Sequence, residues 1–164
     1  MRALNPRRAV RAVVLDEDDR LLLCRLAIPD LIGTVVWVTP GGGVERGETP
    51  FAALRRELLE EVGLAVDTEP PHVWHQQVVG AEHAAGHDGV VNDYFLVRTA
   101  SFHPRGAMSD DELAAEYIVG FRWWRLPDIA AYRGSDLFSP RDLATPLAAL
   151  IADGAPATPR TLGL

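Results

Sequence analysis

Cys24 is the only cysteine in the 164 residues. A lone cysteine excludes an internal disulfide and a cysteine-based zinc ribbon, so packing alone must hold the fold. Nowhere do about 18 apolar residues follow one another, so no membrane-spanning helix is expected. The opening MRALNPRRAV is basic but has no apolar run behind it and does not read as a secretory signal. Positive charge is also scarce, 16 Lys and Arg against 23 Asp and Glu, giving a net charge of −7. Such a chain gains little from counterion release, which argues against a nucleic-acid polymer as partner. A small phosphate-bearing ligand remains compatible if a metal and a few arginines reverse the field locally. These absences describe a soluble, cytoplasmic protein with no membrane partner, and they leave a homodimer open.

What is present suits one globular domain. Apolar residues make up 48% of the chain and charged residues 24%, enough for a single core at this length. There is no internal repeat and no linker, so residues 1–154 are expected to form one domain. Residues 155–164 hold two prolines and no periodicity, and are expected to be a flexible tail.

The most structured stretch is GGVERGETPFAALRRELLEEVGL, residues 42–64. Thr49 followed by Pro50 reads as a helix cap and first position, and Gly63 as the left-handed stop. At 100° per residue Phe51, Leu54, Leu58 and Val62 form a buried stripe. Glu57, Glu60 and Glu61 cluster within about 100° of arc on another face. Three like charges so close repel each other, whereas a hard divalent cation such as Mg²⁺ or Mn²⁺ suits clustered carboxylate oxygens. A solvated acidic face has the same pattern.

The surroundings decide between them. Gly42, Glu48, Arg56, Glu57, Glu60, Glu61 and Gly63 fall at the spacing of the Nudix box, with Leu58 and Leu64 at its apolar positions. At average usage of roughly 6–7% per fixed residue, a chance match is on the order of 10⁻⁹ to 10⁻⁸ per start point. This stretch resembles the Nudix hydrolase family. The resemblance implies an α+β fold, a Nudix-type α/β/α sandwich with a mixed β-sheet between helices. It implies Glu57, Glu60 and Glu61 as metal ligands, Arg56 as the group orienting them, and Glu48 as the tie between loop and helix. Gly41 and Gly42 are expected to offer backbone contacts at the metal, with Glu60, Glu61 or an outside carboxylate as base.

Around the box, residues 10–15 and 21–26 read as a hairpin and residues 35–38 as a strand entering a glycine-rich loop. Strands are expected at 72–80, 90–99 and 117–126, a short helix at 127–132, and a longer one from Ser139-Pro140 through Ile151 that Pro146 kinks. Cys24 reads as a packing residue. Arg25 is either a solvated strand residue or a substrate contact, and Trp37 either core or a stacking surface. Asn92, Asp93 and Tyr94 close a polar loop and are nucleotide contacts or a plain hairpin shoulder. His83 and His87 would chelate a metal on a helix, but Gly86 and Gly89 argue against one; a mobile loop at the substrate mouth is expected. Ser109 caps a helical turn, and Glu112 and Glu116, ahead of a tryptophan-bearing strand, are either solvated surface residues or the outside carboxylate that the resemblance implies, Glu116 before Glu112.

The expected activity is metal-dependent hydrolysis of the phosphoanhydride in a nucleoside diphosphate linked to another group, by in-line attack of water. The rival readings are a Nudix-like nucleotide sensor without turnover and an isopentenyl-diphosphate-isomerase-like enzyme. The full set of box carboxylates disfavours the first, and the early-strand position of Cys24 the second.

Overall fold

The structure, a computed structural model, describes residues 5–79 and 88–164. The apolar, branched stretches near the N-terminus form β1 (Arg7–Leu15) and β2 (Leu21–Ala27). They meet antiparallel at the turn, Leu15 opposite Leu21. Along its whole length β1 also runs parallel to a distant strand, β6 (Gly89–Arg98). The expected hairpin therefore holds at its closed end, while the long partner of β1 comes from far along the chain.

Between these lie β3 (Val35–Val38), β4 (Gly41–Gly43), α1 (Pro50–Glu61) and β5 (His72–Val79). After β6 come α2 (Asp110–Ala115), β7 (Ile118–Trp124), α3 (Leu126–Ala130), β8 (Leu137–Ser139), α4 (Ala144–Asp153) and β9 (Arg160–Leu162). Among the described residues the strands make one mixed sheet in the order β8-β3-β2-β1-β6-β5-β9, with β4 on β1 and β7 on β2. Strand alternation divides the apolar side chains between two faces. Val10, Ala12 and Val14 pack with Leu54, Leu58 and Val62 on the α1 side. Val13, Leu15, Leu21 and Leu23 pack with Trp124, Leu143, Leu147 and Leu150 on the other. The result is a mixed sheet between helices, with α1 packed on one face and α4 on the other.

Three expectations change. The glycine run is not a free loop, since Gly41–Gly43 pairs antiparallel with Arg11–Ala9. Helix α4 starts at Ala144, because Ser139 ends a strand registered on Val38. Pro146 therefore sits in the first turn, where no N–H is needed, and it does not interrupt the helix ladder. The C-terminal segment is not a loose tail. Arg160–Leu162 pairs in parallel with Trp74–Gln76, Gln76 Nε2 donates to the Gly163 carbonyl at 2.6 Å, and Leu162 rests on the core. The strand covers an edge of β5 whose backbone groups would otherwise be open.

Truncation after Ala157 should lower stability by about 2 kcal/mol, the order expected for one half-buried leucine and a few backbone hydrogen bonds. Calorimetric unfolding reads this directly, and an unchanged midpoint would mean that β9 adds nothing.

Candidate active site

Helix α1 is fixed in register at both ends. Thr49 accepts the Ala52 N–H at 3.1 Å, and Pro50 occupies the first turn. Gly63 has φ +77°, and a Cβ there would lie 2.2 Å from the Arg105 carbonyl oxygen. Only glycine ends the helix at this point. With Ala53, Leu54 and Leu58 buried against the sheet, the same register turns Glu57 and Glu61 inward, 8% and 2% exposed.

The glycine strand receives these carboxylates. Glu61 Oε1 accepts the Gly41 N–H at 3.3 Å, and its Oε2 lies 4.0 Å from Cys24 Sγ. A Cβ on Gly42 would come within 2.5 Å of Glu57 Oε1, so the bare backbone is what admits that side chain. Arg56 braces the group. Its Nε and Nη2 donate to the two oxygens of Glu48 at 2.8 and 2.9 Å. Its Nη1 donates to Glu57 Oε1 at 2.9 Å and its Nη2 to the Gly43 carbonyl at 3.1 Å. Glu60, half-exposed, holds an oxygen 3.6 Å from Nη1. Such a fork depends on the planar guanidinium and has no lysine equivalent. Glu48 also accepts the Glu45 N–H at 3.0 Å. Its hydrogen bonds from Arg56 and then from the Glu45 backbone pull its carboxyl down to about 2.

Glu61 behaves oppositely. Burial first, then the hydrogen bond and negative charge of Glu57, push its carboxyl up to about 9, with Arg11 partly opposing. Burial and the repulsion between the two carboxyls favour a proton on Glu61. The oxygen-only donor set of Glu57 and Glu61, with Glu60 at the rim, is the kind a hard divalent cation takes in place of that proton.

The cleft above this floor measures about 350 Å³ and is walled by Arg7, Arg11, Cys24 and Glu116. The profile of the NUDIX domain matches residues 5–142. The chain belongs to the NUDIX family. An RNA pyrophosphohydrolase of Halorhodospira halophila is 49% identical over 55 residues, 34% of this chain and 28% of that one. An RNA pyrophosphohydrolase of Helicobacter pylori strain G27 is 34% identical over 93 residues, 53% of this chain and 60% of that one. The chain thus spans between about a quarter and three fifths of these curated relatives. The crystal structure of the MutT protein from Methanosarcina mazei Go1 superposes with a TM-score of 0.65 at 15% identity, covering 93% of this chain and 98% of that one. At that identity the likeness concerns the fold.

Around the NUDIX box the candidates separate. Glu48, Arg56, Glu57, Glu60, Glu61, Gly41 and Gly42 converge as described. Of the outside carboxylates, Glu112 is committed to the cap of α2, accepting the Ser109 N–H at 3.0 Å, whereas Glu116 lines the cleft. Partial loss of solvent, then the charges of Glu57 and Glu60, raise the Glu116 carboxyl above its ordinary range. Trp37 is no stacking surface: it is 7% exposed, donates from Nε1 to Asp136 at 2.9 Å, and packs edge-on against Trp124. Tyr94, 1% exposed, lies in the core beside Trp74. Asn92 Nδ2 donates to Gln76 Oε1 at 2.9 Å, tying it across the strands. Arg25 stands on β2 opposite Trp37 and Gly120 and is not among the cleft's lining residues. His83, His87 and the loop at 80–87 lie outside the described residues. Cys24, expected on an early strand away from the site, instead lines the cleft 4.0 Å from Glu61 Oε2, and burial raises its thiol well above the usual range.

Two cleft residues had no place in the sequence reading, Arg7 and Arg11. Arg11 Nη1 donates to the Thr39 carbonyl at 2.9 Å, on a strand registered against Gly41. The available signal was an arginine interrupting the apolar run of β1, four residues after another on the same strand face.

The Glu61 shift fixes a pH dependence. Its folded value of about 9 exceeds the ordinary 4.5, so the stabilisation is complete below about pH 4.5 and is lost as pH rises toward 9. Metal-free wild type should therefore lose more thermal stability between pH 5 and pH 9 than Glu61→Gln, and Mg²⁺ should restore it at pH 9. Parallel pH profiles of the two proteins in calorimetry would remove this assignment.

Proposed function

We propose that this chain is a metal-dependent pyrophosphohydrolase that cleaves the phosphoanhydride of a nucleoside diphosphate joined to another group, with Mg²⁺ or Mn²⁺ as cofactor. The observation carrying this is the buried Glu57–Glu61 pair at the floor of a cleft that also holds Arg7 and Arg11. A phosphoanhydride is anionic and repels attacking water, so charge neutralisation and alignment dominate its hydrolysis. Glu57, Glu60 and Glu61 would hold the cation, which supplies neutralisation of phosphate charge and a more acidic water.

The chain's own groups do the rest. Arg56, anchored by Glu48, keeps Glu57 in one orientation. The Gly41 N–H aims Glu61. Arg7 and Arg11 provide positive charge for the substrate phosphates. We assign the base to Glu116, on the cleft wall, because a carboxylate of raised basicity takes a proton from water more readily near neutrality. The reading needs no membrane and no nucleic-acid polymer, and a cytoplasmic location is proposed with it. A homodimer is compatible with it. Relatives named RNA pyrophosphohydrolase make a 5′-triphosphorylated RNA the polymer arm of its test.

The experiment is phosphate and pyrophosphate release across nucleoside triphosphates, oxidised nucleotides, ADP-ribose, nucleotide sugars, dinucleoside polyphosphates, coenzyme A and triphosphorylated RNA, with Mg²⁺ and with Mn²⁺. One small-molecule class should turn over, a chelator should abolish it, and Glu57→Gln or Glu61→Gln should lower kcat/KM by about 10²-fold or more. Glu116→Gln should lower kcat with KM kept, and Arg7→Ala should raise KM about tenfold. Tight nucleotide binding without turnover would replace the hydrolase by a sensor.

A further inference from the structure

Away from the cleft, His72, His75 and Asp93 come together on β5 and β6, with one ligand-type atom from each inside a span of 4.8 Å. Their meeting depends on an irregularity in the strand. Residues three apart on a regular strand point to opposite faces. Here the register runs Trp74↔Tyr94 but His72↔Phe95, so Val73 is an extra residue in β5. This bulge reverses the alternation, and Val73 and Trp74, though adjacent, both enter the same core. The consequence is that His72 and His75 share the face carrying Asp93, the direct cross-strand partner of His75. Bulges re-aim side chains in this way beside functional sites.

The donors are held on rigid elements. His72 stacks on Phe95, ring centroids 5.0 Å apart at 25°. His72 Nε2 lies 2.9 Å and His75 Nδ1 2.7 Å from Asp93 Oδ1, and His72 Nε2 is also 3.1 Å from the Trp74 carbonyl oxygen. All three side chains are half-buried, which leaves room for solvent to complete a coordination shell.

We propose that His72, His75 and Asp93 form a second metal site, one that takes a borderline divalent transition cation, Zn²⁺ first. Two imidazoles and one carboxylate select zinc-like ions, whereas the oxygen-only floor of the cleft selects Mg²⁺ or Mn²⁺. With bond lengths of roughly 2.0–2.2 Å, tetrahedral ligands stand about 3.3 Å apart. The two contacts to Asp93 therefore open by about half an ångström as the ion enters. The cation takes the positions of the protons on His72 Nε2 and His75 Nδ1. From a neutral ring that proton moves to the other nitrogen through solvent, and from a charged ring it is released. A bound ion pins β5 to β6 independently of the cleft, so the site stands whether or not the proposed hydrolysis does.

The test is titration of the full chain with Co²⁺ and Zn²⁺ in excess Mg²⁺, followed by the visible Co²⁺ spectrum, calorimetric stoichiometry and thermal midpoint. It is run on wild type and on Glu57→Gln/Glu61→Gln, which disables the cleft centre. One equivalent should bind to both, with a low-symmetry Co²⁺ band and a raised midpoint. His75→Ala and Asp93→Asn should each weaken binding about tenfold or more. His72→Phe keeps a ring on Phe95 while removing the nitrogens, and should do the same if either other variant fails to fold. Absence of saturable binding in excess Mg²⁺, or binding that the folded site variants leave unchanged, overturns the proposal.

Discussion

Glu57 and Glu61 stand one helical turn apart on the buried side of α1. Like charges at that spacing repel on any helix, and low-dielectric surroundings enlarge the repulsion. Several neighbouring features follow from accommodating it. Gly42 lacks a side chain where Glu57 enters, Gly41 gives an N–H to Glu61, and Arg56 lends one arm to Glu57 while Glu48 fixes the other. Burial first, and then the hydrogen bond and charge of Glu57, leave Glu61 a weak acid. A site arranged this way is pre-organised for a cation, since the geometry is held before any ion arrives and little reorganisation accompanies binding.

The packing of α1 serves the same constraint. Its apolar stripe, Leu54, Leu58 and Val62, locks against Val10, Ala12 and Val14, so the helix cannot roll to relieve the carboxylates by exposing them. The Thr49 cap and the Gly63 stop prevent a slip along the axis. Burial of several large apolar side chains, each worth about 1.5–3 kcal/mol, outweighs the repulsion of one acidic pair. Stability and function are therefore coupled through one helix face, with the apolar side chains holding in place an electrostatic arrangement that is unfavourable by itself.

How far the sequence disclosed this differs by element. The box helix was legible in its cap, its stop and the Leu54, Leu58 and Val62 stripe, because these signals are local, whereas Phe51, expected in that stripe, is only half-buried beneath Arg55. Glu48 and Arg56 were legible for the same reason. Arg7 and Arg11 were not, since they reach the cleft only through the parallel pairing of β1 with β6 and the antiparallel pairing with β4. Those are long-range contacts without a local signature. Trp37 was open as a stacking surface and Tyr94 as a nucleotide contact, yet each fills core volume, with its polar tip bonded to Asp136 and to Gln76. An aromatic side chain gives the same sequence signal whether it packs or binds. The strand at 160–162 was missed because its partner, β5, is an edge that only the assembled sheet presents.

The bulge at Val73 is the sharpest case of structure adding what spacing conceals. By strand periodicity His72 and His75 belong on opposite faces, and by helix periodicity the segment is no helix at all. Only the extra residue lets both imidazoles meet Asp93 while Val73 and Trp74 keep their places in the core. The same extra residue meets two requirements at once, seating the adjacent Val73 and Trp74 in one core and bringing both imidazoles to Asp93. The cluster it creates differs in donor chemistry from the one on α1, with imidazole nitrogen predominating where the helix offers carboxylate oxygen. Two donor sets so unlike, one on α1 and one on the sheet, would compete little for the same ion, because hard and borderline cations divide between them by preference rather than by position.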